Sequence, residues 1–459
     1  MANSSLAAAR EAKNGEFYTS LSDIQAEMNH YTDKFHDKVV FCNCDDPFES
    51  NFVKYFLMNF NRLGLKELIA TGYKSSTIGG KEVGKSLVPY VLRVKETRKY
   101  LVGTQTDLDI RGAKYFLETE GTHVMSPLIG NTAHGDDGKP VTEQVRVEVT
   151  DDKGNPVLNK NGKVKTKILG REVYYEAGDF RSDMCISLLR ESDIVVTNPP
   201  FSLFREYVAQ LMQYQKQFLI LGNMNAITYK EIFPYLRNNE LWLGYKSLNQ
   251  DMYFDVPDGY RRWLVENKKE GSAYKIVGGK VMGRLASACW FTNIDHEKRH
   301  IMLPLDLGCT YYGHEDMYPR YDNYDAINVD KIADIPCDYD GVMGVPITFL
   351  DKYCPEQFDI VAFRKGDDGN DLVFTRERER EFNHTFESLY NEYRRGNQER
   401  RGENRWSSYL CAYHDKKENI EPVDLVYPLC SKRAAGTVNG LLDGEETYRR
   451  VLIKKKGGN

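Results

Sequence analysis

The chain reads as an α/β protein: a doubly wound, mostly parallel sheet, then a less regular C-terminal part. Three observations predict this. Lys38–Cys42, Asp193–Thr197 and Gln217–Asn223 are short apolar runs separated by helical patterns, as expected of parallel strands buried on both faces. Two of these runs, ending at Cys42 and Thr197, lead through a polar segment into an amphipathic helix. Beyond about residue 300 that alternation stops. At 459 residues there is room for two or three domains.

Composition sets the outer bounds. Hydrophobic content of 41% and charged content of 28% are ordinary for a globular chain. There is no apolar run near 18 residues, so no membrane span is expected. The start, Met1 to Arg10, reads as a frayed polar segment rather than a signal peptide. Nine cysteines, with no Cys-x-x-Cys pair, suggest neither a zinc site nor a disulfide framework, and a reducing cytoplasm fits them. The net charge of −5 argues weakly against a nucleic-acid binder, but a nucleic acid meets only one face, so local basic clusters matter more.

The elements follow in order. Glu16-Phe17-Tyr18-Thr19 precedes a helix for which Ser22 is a candidate N-cap with Gln25 three residues on. The strand Lys38–Cys42 leads into Asn43-Cys44-Asp45-Asp46-Pro47 and the helix from Phe52. No glycine stands between Val39 and Asn51, so a dinucleotide fingerprint is absent and NAD or FAD is not expected. Asp45 and Asp46 suit a cationic ligand, although an Asp-Asp-Pro turn capping a helix has the same look. Lys66–Tyr73 reads as the second strand and Val88–Val94 as another. Alternation at Gln144–Val149 and Lys163–Leu169, with turn residues between, predicts a β-hairpin insertion. That hairpin could be a DNA-contacting flap or a plain elaboration. Asp179 stands before the helix Met184–Arg190, as a ligand carboxylate or as a helix N-cap. Residues 202–215 form a core helix, and Ser287–Ile294 a late strand carrying Trp290 and Phe291.

The chemistry centres on Asn198-Pro199-Pro200-Phe201, directly after the strand. The prolines fix φ and carry no N–H, so the turn is rigid and donor-free. Its acceptors face the crevice above the strand ends, where open α/β sheets bind ligands. A planar group with an exocyclic amine suits such a site. The Asn198 side-chain oxygen and the Pro199 carbonyl can each accept one N–H, and Phe201 can stack on the ring. A strand with a stiff turn is the plainer alternative.

This stretch resembles the amine-methylating motif of S-adenosylmethionine-dependent DNA adenine-N6 methyltransferases. The whole chain resembles the EcoRI-type DNA adenine methyltransferases. The likeness is carried by Cys42–Pro47, Gly178-Asp179-Phe180-Arg181-Ser182, Tyr321–Val329, Asp340–Leu350, Pro355–Phe358, Phe363–Gly366 and the closing strand Tyr448–Lys455. It spans most of 14–375 and 447–455, leaving out 74–170 and 376–446.

The resemblance implies a Rossmann-like methyltransferase sheet in a catalytic domain over 1–300, with the hairpin insertion at about 74–170. It implies an irregular target-recognition domain over 301–459, with an insertion at about 376–446. It implies S-adenosylmethionine as cofactor. Phe17, Tyr18 and Thr19 would lie over its methionine end, and Asn43, Asp45 and Asp46 would face its cationic groups. Tyr73 would stack on the adenine where methyltransferases often place an acid for the ribose. Asp179 would accept the adenine amine with Phe180 against the ring. The substrate implied is double-stranded DNA, with an adenine flipped between Phe201 and Trp290. Arg364, Lys365, Arg394, Arg395, Arg400 and Arg401 are candidate DNA contacts, although mixed-sign runs such as 376–401 are usually solvated helix faces. A cognate restriction endonuclease acting separately would complete a restriction–modification pair. Two rival readings remain: an RNA or protein N-methyltransferase using the same Asn-Pro-Pro turn, and a catalytically dead DNA-binding module.

Overall fold

The structure is a computed structural model. It describes residues 18–46, 50–72, 89–97, 121–134, 139–149, 156–157, 164–248, 250–256, 258–285, 287–321, 326–363, 441–442 and 445–457. The chain divides into two compact units. The first holds residues 1–200, 210–221 and 252–286, and the second 201–209, 222–251 and 287–459.

In the first unit, β1 (Tyr18–Thr19) precedes α1 (Leu21–Met28). The N-cap is Ser20, not Ser22: its extended backbone lets the side chain accept the Asp23 N–H, and its hydroxyl donates to Asp23 in return. β2 (Val39–Cys42) is buried throughout, as a strand covered on both faces must be. α2 (Asn51–Leu63) starts at Ser50, which accepts the Phe52 N–H, and stops at Gly64 in the left-handed conformation. There the Leu65 N–H reaches back to the Phe60 carbonyl and satisfies an end-of-helix acceptor. β3 (Glu67–Thr71) is again fully buried.

Beyond β3 come β4 (Tyr90–Thr97) and β5 (Gly121–Pro127), each antiparallel to its neighbour. Glu67 on β3 receives Arg93 of β4 at 3.0 Å. The predicted hairpin insertion forms from β6 (Thr142–Glu148) and β7 (Thr166–Glu172), paired antiparallel with Val145 opposite Leu169. α3 (Asp183–Glu191) is capped by Ser182, so the N-cap alternative for Asp179 falls away.

β8 (Ile194–Thr197) is wholly buried and lies parallel between β2 and β9 (Gln217–Asn223). The helix expected over 202–215 begins as a 3₁₀ turn at Phe201–Leu203 and runs as α4 (Phe204–Gln213), burying Phe204, Tyr207, Val208 and Leu211. Six strands of this unit follow the order β9-β8-β2-β3-β4-β5. Four are parallel and the last two antiparallel, so the sheet is mixed. From β2 the chain steps to β3 on one side, while β8 flanks β2 on the other. The order therefore reverses between β2 and β8, which is where open sheets of this kind form a crevice at the strands' C-terminal ends.

A smaller sheet completes the first unit, in the order β1-β10-β12-β11. It uses β10 (Met252–Asp255), β11 (Tyr274–Val277) and β12 (Lys280–Leu285), with α5 (Asp258–Asn267) between β10 and β11.

In the second unit, β13 (Ala288–Thr292) pairs antiparallel with Trp242–Leu243. A separate sheet orders Ile327–Asn328, β14 (Val342–Pro346), β16 (Arg450–Lys455) and β15 (Phe358–Ala362). The predicted closing strand is thus an interior strand. It lies between β14 and β15 and pairs antiparallel with both. Tyr321, Ala326, Ala362 and Leu452 form the core there. Gly344 on β14 lies directly against the Tyr321 ring, which a side chain would strike.

Candidate active site

The ends of β2, β3 and β8 are stitched together by side chains. Thr71, the last residue of β3, donates its hydroxyl to the Asn43 carbonyl at 3.2 Å, and its own carbonyl accepts the Asp45 N–H at 3.2 Å. Thr197, the last residue of β8, accepts the Cys44 N–H at 3.2 Å and donates to the Asp45 carboxylate. Ser50, besides capping α2, donates to the other Asp45 oxygen at 2.7 Å. Asn43, Asp45 and Asp46 are all buried at this point. Asp45 is therefore the post that binds the loop after β2 to the strand that delivers Asn198.

Burial raises the thiol pKa values of Cys42 and Cys44 well above the ordinary range, and the Asp45 charge adds to this. Neither thiol is prepared as a nucleophile or metal ligand. No group of His, Cys, Asp and Glu able to hold a metal ion occurs among the described residues.

Asn198 is half-buried, Pro199 buried and Pro200 exposed, so the turn leaves the strand with its asparagine at the rim of the sheet. Phe201, partly exposed, opens the 3₁₀ turn of the second unit. Asp179 is buried beside Phe180, and its carboxylate is gripped by Arg181. The guanidinium gives 3.0 Å from Nε and 2.9 Å from Nη2, with the Arg181 N–H adding 2.9 Å. The same guanidinium covers the rings of Tyr175 at 4.8 Å and Phe180 at 5.2 Å. The backbone here turns through Gly178 at φ 84°. A planar, charge-assisted fork fixes the carboxylate plane more firmly than a single bond would.

Thr19 is buried, and its carbonyl accepts Asn51 Nδ2 at 2.8 Å, which ties β1 to the start of α2. Trp290 lies in β13 with 1% of its surface exposed. In this structure, then, its indole is enclosed and presents no open ring face. Phe17, Tyr73, Arg364, Lys365, Arg394, Arg395, Arg400 and Arg401 lie outside the described residues.

The structure thus brings Asn43, Asp45 and Asp46 to the loop after β2 and links that loop to the residue before Asn198. Sequence reasoning missed the linkers Thr71, Thr197, Ser50 and Arg181. For Thr197 the signal was present: a hydroxyl residue closes an otherwise apolar strand, directly before the asparagine.

A sheet with its switch point between β2 and β8, carboxylates after one strand and a rigid Asn-Pro-Pro turn after the other, has the organisation of a methyltransferase. Comparison with known proteins narrows this class. The family model described as adenine-specific methyltransferase EcoRI matches residues 5–456, and the chain belongs to this family of DNA methyltransferases. It is 40% identical to the type II methyltransferase M.EcoRI of Escherichia coli over 372 residues, covering 81% of this chain and 92% of the relative. It is 34% identical to M.MgeORF184P of Mycoplasma genitalium over 353 residues, or 77% and 84% of the two chains. The type II methyltransferase M.MpnI of Mycoplasma pneumoniae is 32% identical over 358 residues, or 77% and 83%. No solved structure matches the chain significantly.

Proposed function

We propose that the chain transfers a methyl group from S-adenosylmethionine to N6 of an adenine flipped out of double-stranded DNA. The observation that carries this reading is the position of Asn198-Pro199-Pro200 at the C-terminal end of β8, tied through Thr197 and Asp45 to the loop after β2. The residues fit the cofactor. Asp45 and Asp46 supply buried carboxylates for a cation, and Asp45 is held in place by hydrogen bonds from the Ser50 and Thr197 hydroxyls. Asp179 and Phe180 supply an acceptor and a ring for an aminopurine. The cofactor brings an electrophilic sulfonium methyl group; the protein's part is alignment.

An adenine N6 in a stacked duplex is out of reach, so the base must leave the stack. Phe201 stacks on the extruded ring. The Asn198 side-chain oxygen and the Pro199 carbonyl accept the two N6 hydrogens, which turns the nitrogen lone pair out of conjugation. The amine sheds its surplus proton after attack, so no general base or metal is required. Catalysis is then mostly orientation and electrostatics. Thr19, in β1, would border the cofactor's methionine end together with Phe17 and Tyr18. The basic residues of 364–401 would supply phosphate contacts. A separate cognate endonuclease and a cytoplasmic setting fit this reading. Cys42, Cys44, Cys185, Cys309, Cys337 and Cys354 are free thiols, and no described helix is long and apolar enough to cross a membrane.

The test is long-read modification mapping of DNA from a methylation-free host expressing the chain. N6-methyladenine at one short sequence is expected, and its loss with Asn198→Ala. Asn198→Ala protein retaining near-normal turnover would remove the central role given to this amide. Unmodified DNA from soluble, cofactor-binding protein would favour an RNA or protein substrate.

A further inference from the structure

The small sheet of the first unit has two unlike faces. Its register places Tyr253, Asp255, Lys275, Val277, Lys280, Met282 and Arg284 on one side and Phe254, Tyr274 and Gly283 on the other. The second side is core: Phe254 and Tyr274 are buried, and Gly283 sits against Val256 and Leu264 of the α5 region. The first side is open, with Lys275 and Lys280 exposed. It carries three cations against the single carboxylate Asp255. Lys280 bonds to Asp255, whereas the Lys275 ammonium lies over the Tyr253 ring at 3.8 Å.

The hairpin that projects this face turns on Gly278 and Gly279, with φ of 57° and 79°. Both are positive, as a tight two-residue hairpin requires. Just before the turn, Val277 on this face is 50% exposed. Residues 252–286 hold seven lysines and arginines against four acids, in a chain whose net charge is −5. A cationic excess concentrated on one sheet face and its projecting turn, against an acidic background, matches a polyanion.

We propose that this face, through Lys275 and Lys280, grips the phosphate backbone of the duplex substrate, with Val277 beside the turn lying against a groove. The inference rests on duplex DNA being the substrate, and it places a contact outside the C-terminal region expected to read the target. It also has a structural path to the cofactor loop. β10 of this sheet pairs with β1, and the Thr19 carbonyl of β1 is held by Asn51 at the head of α2.

The experiment is fluorescence anisotropy of the full-length protein with a labelled duplex containing its methylation site, from 50 to 200 mM salt. Lys275→Gln/Lys280→Gln is compared with Lys275→Arg/Lys280→Arg. Each phosphate contact contributes about 0.9 to the slope of log affinity against log salt. The glutamine pair should therefore lower that slope by about 1.8 and weaken binding by about 10- to 100-fold near 0.1 M salt, whereas the arginine pair keeps both. Cofactor affinity by calorimetry should be unchanged in both variants, showing that the fold is intact. A wild-type slope in the glutamine variant, from protein that does methylate duplex DNA, overturns this face alone. Wild-type protein that neither binds nor methylates duplex overturns the proposed function together with it.

Discussion

Replacing Thr197 by valine should damage the protein in two measurable ways. The side chain is fully buried, so valine fills nearly the same space while removing one hydroxyl. Two hydrogen bonds go with it: the donation to the Asp45 carboxylate and the acceptance from Cys44 N–H at 3.2 Å. A hydrogen bond to a charged group contributes about 1.5–3 kcal/mol, and a buried N–H left without an acceptor costs about 1–3 kcal/mol. The two overlap, and valine spares the cost of desolvating a hydroxyl, so a net loss of about 2–4 kcal/mol is expected. Thr197→Ser keeps both bonds and gives up one methyl group, about 1 kcal/mol. Urea denaturation followed by circular dichroism measures the difference. The same change loosens the residue before Asn198, so the methylation rate should fall by about 10- to 100-fold, as small misplacements of reacting groups do. Serine should recover most of that rate. If Thr197→Val were as stable and as active as Thr197→Ser, the coupling between the β2 loop and the Asn-Pro-Pro turn would be wrong.

Two further outcomes follow from the geometry. Arg181→Met removes the fork that orients Asp179, and cofactor affinity measured by calorimetry should drop by about tenfold or more, with Arg181→Lys recovering only part. An unchanged affinity would take Asp179 out of the cofactor site. Two histidines of the second unit bracket the pH range. Burial lowers the pKa of His296 to about 4, so its contribution is complete above the unfolded value near 6.5 and is lost as pH falls toward 4. Hydrogen bonds to Asp295 and Glu356, each 2.9 Å, raise that of His300, so its contribution is complete below about 6.5 and is lost as pH rises through its folded value. The His300 contribution should be seen as urea midpoints that fall as pH rises above about 6.5, and His300→Gln should flatten that alkaline side. A profile unaltered by that substitution would contradict the His300 assignment.

Much of the core was legible because its strands are buried on both faces. Val39–Cys42, Ile194–Thr197 and Gln217–Asn223 have few polar positions, so an apolar run alone locates them. The hairpin at 142–172 was legible from alternation and turn residues, to within about three residues at its ends. β5 was not, since Gly121-Thr122-His123 carries no strand pattern and its place is set by pairing with β4. The basic sheet over 252–286 was missed as well. Lys275, Lys280 and Arg284 are spread over two strands, and only the register gathers them on one face. In the candidate site, Asp45, Asp179 and Asn198 stand out from residue type and context. The hydroxyls and the guanidinium that hold them could not, because Thr197 lies 152 residues from Asp45 in sequence and next to it in space.

The glycine-free loop after β2 takes its sense from those hydroxyls. Glycine turns let backbone amides approach a pyrophosphate closely, and their own flexibility is tolerated because the phosphates order them. On the proposed function the loop would meet a cationic nucleoside, which offers no such anion and is suited by acidic groups held in place beforehand. Here the loop is ordered by Ser50, by the Thr71 carbonyl and hydroxyl, and by Thr197, all contributed by neighbouring elements of the sheet layer. A loop built in this way cannot move independently of the strand that carries Thr197. The carboxylates that would meet the cofactor and the amide that would meet the base are therefore one rigid body, joined through a buried carboxylate. Their relative placement is thus held by contacts already present within the sheet layer, which suits a reaction dominated by alignment.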